Sequence, residues 1–327
     1  MAVVDEYIEL ENDDIPEDGY FNGIKSLPGL VAWGLTVDRN DATFTFATDE
    51  ATTSTNFEWD SLPKDYTVIG TNAGVLIMPV TDIDTYANPQ SKGWIKWDHY
   101  KFTVYDECNN SSWDTSLWDS SGTPTENTEK MTLSVGASTT ANITTDATNG
   151  DVKGNDIYAL KSEWLTQSSD VMRVQVTDGS TDVTVYTKTD TGGHTTRTNH
   201  FLKFDSVNEE VHVWENGGMD ASSPFDLSSL GANWYIRVEI TTWSSPATVR
   251  TLSIYYLRKI TGSETSTVVE QLSSNNGTNY TTASEKWVLI TAAQRGYRMI
   301  PKLTCTPVAG EGVCVRRVDF QMFSEED

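Results

Sequence analysis

From about residue 98 onward, apolar and polar side chains alternate in short runs, each followed by turn residues. Alternation of this kind puts one set of side chains on each face of a pleated strand, because successive Cβ atoms point to opposite sides. The pattern predicts nine strands, over 101–105, 131–135, 157–164, 171–176, 182–187, 201–205, 210–214, 234–240 and 249–257. Asp-Gly-Ser at 178–180 and Ser-Val-Asn-Glu at 206–209 read as hairpin turns. Short strands in unbroken succession predict a sandwich or barrel, not strands alternating with helices.

The flanks carry fewer such runs. Before residue 98 they fall at 30–37, 42–48 and 66–79, and after residue 262 at 286–290, 299–305 and 313–322. The acidic first twenty residues, with a turn signal at 16–19, read as an arm or an edge strand, and 88–93 reads as a loop and a boundary. Neither flank has enough strands to close a sandwich alone. The expected organisation is an N-terminal β region (1–97) pairing with a C-terminal β region (263–327), and an inserted jelly roll (98–262) between them. The predicted class is all-β, made of antiparallel sandwich or jelly-roll modules, with two domains and very little helix.

Composition favours the same class. Thr makes up roughly one residue in seven of the 327, and β-branched and aromatic side chains suit half-buried pleated surfaces. The net charge of −24 repels phosphate backbones, which argues against nucleic acid as a partner. The opening residues lack a basic and then apolar leader, and no run approaches the roughly 18 apolar residues of a membrane span. Neither a signal peptide nor a membrane span is therefore expected. Of the three cysteines, Cys305 and Cys314 flank the turn-rich run 306–312 and are candidates for a disulfide across a hairpin, while Cys108 has no evident partner.

The middle segment resembles the concanavalin A-like, laminin-G-type jelly roll. Three passages carry the resemblance: YDECNNSSWDTSLWD (105–119), FLKFDSVNEEVHVWENGG (201–218) with its Trp-x-Asn-Gly turn, and FDLSSLGANWYIRVEI (225–240). The tail passage 273–290 is similar to sequences recurring in phage tail and baseplate sandwiches. These resemblances imply a virion surface, tail, fibre or capsid-surface protein, made in the host cytoplasm and exposed later. Its implied partners are its own copies (a trimer favoured), other virion proteins and a host-surface glycan. A secreted lectin or jelly-roll glycoside hydrolase, and a microbial cell-surface or filament subunit, are the alternatives.

Catalytic signals are weak. Glycoside hydrolysis needs two carboxylates about 5–9 Å apart, and one branch of this fold sets them in Glu-x-Asp-x-x-Glu on one strand face. No such spacing occurs: Glu58 and Asp60 are followed by a proline, and the adjacent Asp106 and Glu107 face opposite ways on a strand. The four histidines, His99, His194, His200 and His212, belong to no hydrolytic motif and read as surface residues. The expectation is therefore a chain that is not an enzyme and needs no cofactor, with Ca²⁺ the one candidate ligand. Asp146, Asn149, Asp151 and Asp156 share one polar loop with oxygens suited to that ion. For a glycan, the candidate contacts are Trp214, Asn216 and Trp243, whose rings and amide suit a sugar.

Overall fold

The computed structural model describes residues 26–27, 30–38, 43–48, 54–58, 66–69, 74–77, 90–108, 110, 112–127, 130–215, 218–220, 222–244, 248–273, 279–284, 287–289 and 300–325. Among these every regular element is a strand, and no helix is long and apolar enough to cross a membrane. The N-terminal arm expected over 1–20 lies outside the described residues. The chain divides into two units, Met1–Lys101 with Thr265–Asp327, and Phe102–Glu264.

In the Phe102–Glu264 unit two antiparallel sheets enclose one core. The larger has the order Met131–Val135, Arg250–Ile260, Ile157–Leu165, Thr195–Asp205, Glu210–Glu215. The smaller has the order Asp182–Thr189, Val171–Thr177, Tyr235–Thr241, Thr140–Thr145, Trp118–Ser120. Alternate residues point inward from both. Leu160, Trp164, Leu202, Phe204, Leu252 and Ile254 from one sheet meet Met172, Val174, Ile236, Val238 and Ile240 from the other, all buried. Each such side chain contributes roughly 1.5–3 kcal/mol relative to an exposed position. Both expected hairpin turns form, at 178–180 and 206–209.

One irregularity shapes the opposite face of the larger sheet. Lys161 pairs with Tyr256 but Ser162 pairs with Ile254, so Tyr255 is an extra residue in a β-bulge. With Ile254 and Leu257 both in the core, Tyr255 and Tyr256 are left on the outward side. The start of the unit is fixed by polar contacts that the adjacent acids provide in two directions. Asp106 accepts from the Trp118 indole at 2.6 Å, while Glu107 holds both arms of the fully buried Arg258 at 2.6 and 2.8 Å. The Arg258 guanidinium also lies 3.7 Å over the Tyr256 ring and 4.4 Å over Phe102.

In the other unit, Leu30–Asp38 pairs antiparallel with Glu311–Glu325, and Ile300–Thr306 lies between Gly74–Ile77 and Thr267–Ser273. Two expectations are corrected here. Residues 90–93, read as loop, begin the long strand Gln90–Asp106, because Lys92, Gly93 and Trp94 pair with Leu289, Val288 and Trp287. Cys305 and Cys314 form no disulfide and are buried thiols. Their strands belong to different sheets, so the turn between them carries the chain from sheet to sheet instead of closing a hairpin. Burial, with the charge of a Cys314 thiolate added, pushes the Cys305 thiol up to about 12, which keeps it protonated and unreactive at neutral pH.

Replacing Glu107 with Ala would leave the Arg258 charge buried without its carboxylate. The expected loss is roughly 3–5 kcal/mol of unfolding free energy in urea titration, and a loss below about 1 kcal/mol would show that the pair does not anchor this edge.

Candidate functional site

The outward side of the larger sheet concentrates charge that a strand face normally leaves to water. Register explains how. Glu163 pairs directly with Arg197 on one neighbour and with Ser253 on the other, and Met131 pairs with Ile254, which sets Lys130 beside the bulged Tyr255. Glu163 therefore accepts from Lys130 and Arg197 on opposite oxygens, and from the Tyr255 hydroxyl at 3.0 Å. The Arg197 guanidinium donates to that hydroxyl at 2.9 Å, and both cations lie near the Tyr255 ring, at 5.0 and 5.2 Å. Glu163 and Tyr255 are buried, while the Arg197 side chain is 44% exposed. The cluster is open at the arginine.

The electrostatics follow from this geometry. Burial alone raises the Glu163 carboxyl, but hydrogen bonds from Lys130 and Arg197 outweigh it and hold the group below the usual carboxylate range. Burial and the Glu163 charge push the Tyr255 phenol up, so it stays neutral. Burial lowers Lys130, yet Glu163 more than compensates and keeps it charged. Two cations on one carboxylate leave a net positive spot on a chain of charge −24.

Aromatic surface lies on the same face. Val211 and Val213 point to the core, so His212 and Trp214 point outward, with ring centroids 6.2 Å apart. Trp214 pairs with Phe201 and His212 with Lys203. Phe201 and Arg197 are four residues apart on one strand, about 13 Å, so the Trp214–Phe201 patch and the Glu163 cluster could be bridged by one short oligosaccharide. Of the three expected glycan contacts, Trp214 thus shares this face. Trp243 sits at a sheet end and is 59% exposed. Asn216 lies outside the described residues.

A concavity lies on the outward side of the smaller sheet. This polar depression of about 430 Å³ is lined by Ser120, Asn142, Thr144, Asp178, Tyr235 and Arg237 among others. Its charged groups are already engaged: Arg237 holds Asp182 at 2.7 and 2.8 Å, and Asp178 accepts from the backbone of Ser180, Thr181 and Gly231.

The loop expected to hold Ca²⁺ uses its oxygens otherwise. Asp146 accepts from the backbone of Thr148 and Asn149, and the Asn149 amide donates to the Ser116 carbonyl. Asp151 accepts from the backbone of Lys153 and Trp234, and Asp156 pairs with Lys259 at 2.8 Å. Among the described residues no three His, Cys, Asp or Glu side chains converge as a metal ion requires. The polar spacing that suggested a cation serves turns and an ion pair.

Comparison with known proteins gives a fold and no family. No family model and no curated protein matches the chain. Among solved structures, the laminarinase catalytic domain of Thermotoga petrophila RKU-1 is 8% identical, covering 50% of this chain and 97% of its own, with TM-score 0.36. The Bacillus licheniformis β-glucanase is 11% identical, covering 50% and 98%, with TM-score 0.36. Porphyranase B of Zobellia galactanivorans is 8% identical, covering 50% and 93%, with TM-score 0.35. The jelly roll of this chain is similar in fold to those of glycan-cleaving enzymes. The expectation of a chain that is not an enzyme is corrected to that extent: the structures to which it is similar are enzymes, and the likeness is one of fold. The missing Glu-x-Asp-x-x-Glu spacing excludes one arrangement of carboxylates on one strand, whereas the Glu163 cluster is gathered from three strands and the residue before a fourth. None of these three structures is a virion component, and they lend no support to the virion, tail or capsid readings.

The histidines also differ from expectation. His194 is exposed and bonds Asp190, and His212 is part-exposed, but His200 is fully buried beside Tyr186 with its Nε2 unpaired among the described residues. Its strand alternation, with Thr198, Leu202 and Phe204 inward, carries it into the core. Burial lowers its pKa from 6.5 to about 4, with Asp220 opposing only in part. The unfolded chain then binds a proton in the window from about 6.5 to about 4 that the folded chain refuses. Stability should fall by about 3 kcal/mol as pH drops through that window. Denaturant midpoints for H200L should show a shallower fall than the parent; equal slopes would remove His200 as the cause.

Proposed function

We propose that the Phe102–Glu264 jelly roll is carbohydrate-active, holding a polysaccharide across the outward face of its larger sheet beside the cluster of Lys130, Glu163, Arg197 and Tyr255. The observation that carries this reading is the Lys130–Glu163–Arg197–Tyr255 cluster, buried and cross-bonded on the face that also bears Trp214 and Phe201. Aromatic rings give apolar faces on which pyranose rings stack, and the charged groups fix hydroxyls or acidic substituents beside them. Arg197, the most exposed member, is the group a chain would meet first. Tyr255 stays neutral, its hydroxyl donating to Glu163 and accepting from Arg197; Glu163 stays ionised and holds that phenol and both cations in place. The cluster contains a single carboxylate among the described residues, so the two-carboxylate route of hydrolysis would need a second acid from elsewhere.

The test is incubation of the purified full chain with laminarin, mixed-linkage β-glucan, alginate and porphyran. Binding is read by affinity gel electrophoresis, cleavage by new reducing ends, and elimination by the ultraviolet absorbance of an unsaturated product. On the polysaccharide that responds, R197A should weaken binding at least about tenfold with little change in melting temperature, and E163Q should weaken binding as well. Failure of the parent protein to bind or cleave any of the four would end this reading.

A further inference from the structure

We infer that Trp243 is a second, preorganised stacking platform for a pyranose ring of the same polysaccharide, an inference that rests on the carbohydrate-active reading. The indole is 59% exposed, a large apolar surface left to water in a loop where a smaller residue would cost nothing. Yet the backbone beneath it is held by three hydrogen bonds. Its N–H donates to Asp170 Oδ1 at 2.7 Å, and its carbonyl accepts from the Ser138 N–H and from Arg250, each at 3.3 Å. Asp170 and Arg250 form an ion pair of 3.0 Å whose two side chains are completely buried.

The same pair ties down the surrounding segments. Arg250 donates to the Thr248 carbonyl at 2.7 Å, and the second Asp170 oxygen accepts from the Gln167 N–H at 2.7 Å. A fully buried ion pair is a poor source of stability, because desolvation offsets most of its attraction. What it supplies is a fixed geometry, and the geometry fixed here is the backbone of an exposed tryptophan. A tryptophan whose backbone is already fixed has less freedom left to lose when a ligand stacks on its ring, which favours an efficient contact.

The size of the apolar surface selects the occupant. Beside Trp243, the large apolar side chains exposed at this end of the sheets among the described residues are Val249 and Leu165, the latter paired with Thr251. A stable protein interface needs about 800 Å² per partner with a buried aromatic centre, well beyond one indole and two aliphatic tips. One pyranose ring with its C–H face needs no more than the indole.

The experiment compares the parent chain with W243A and W243F, using the four polysaccharides named above, in affinity electrophoresis, calorimetry and thermal melting. The expected result is at least a tenfold weaker affinity for W243A, near-parental affinity for W243F, and an unchanged melting temperature for both. If the parent binds and W243A binds equally well, the platform is refuted while the carbohydrate-active reading stands. If the parent binds none of the four, both fall together. Weakened binding accompanied by a lowered melting temperature in W243F as well as W243A would also overturn the inference, since it would assign Trp243 to packing.

Discussion

The strand Ile157–Leu165 lies at the centre of the larger sheet, and its pairing register decides what that sheet can do. With Leu160 and Trp164 turned into the core, the period of two leaves Lys161 and Glu163 no choice but the other face. A slip of one residue would bury Glu163 between the sheets and expose the tryptophan, a reversal costing several kcal/mol on both counts. The hydrophobic requirement of the core therefore fixes where the Glu163 carboxylate points. The bulge at Tyr255 then reverses the phase of the neighbouring strand, so that Tyr256 joins Tyr255 on that face and Leu257 returns to the core.

Charge is arranged against the average of the molecule. The chain is strongly acidic, yet the face around Glu163 carries Lys130 and Arg197 on one carboxylate, and Arg258 lies buried against Glu107. Pairs of this kind contribute modestly to net stability, and removing one partner costs more than the pair contributes. Their evident effect is positional. Glu107 and Arg258 hold the start of the unit on the long Arg250–Ile260 strand, and Asp170 with Arg250 holds the loop at the other end of that same strand. Function and rigidity meet on one element.

The comparison with solved structures gives a likeness of fold alone. On the larger sheet one acid, one phenol and one cation come from three strands, and the second cation, Lys130, from the residue before a fourth. Architecture is shared widely among unrelated activities, so the reading of this face depends on its own residues and not on the likeness.

Much of the fold was legible from the alternation of residues alone. Nine strands of the middle segment, the two hairpin turns and the buried Trp118 follow from a period of two and from turn chemistry, both of which are local. Local pattern could not show that Cys305 and Cys314 lie on different sheets, that 90–93 joins a strand, or that His200 is interior, because each depends on which strands pair. The site was hidden for the same reason. Lys130, Glu163, Arg197 and Tyr255 span 126 positions (255 − 130 + 1) and form no motif. The sequence by itself determined that the chain is all-β and which side chains its core strands bury, since burial and alternation are properties of each strand. The register of one strand against another decided which polar groups meet, because hydrogen bonding and charge act between residues that only pairing brings within a few ångströms.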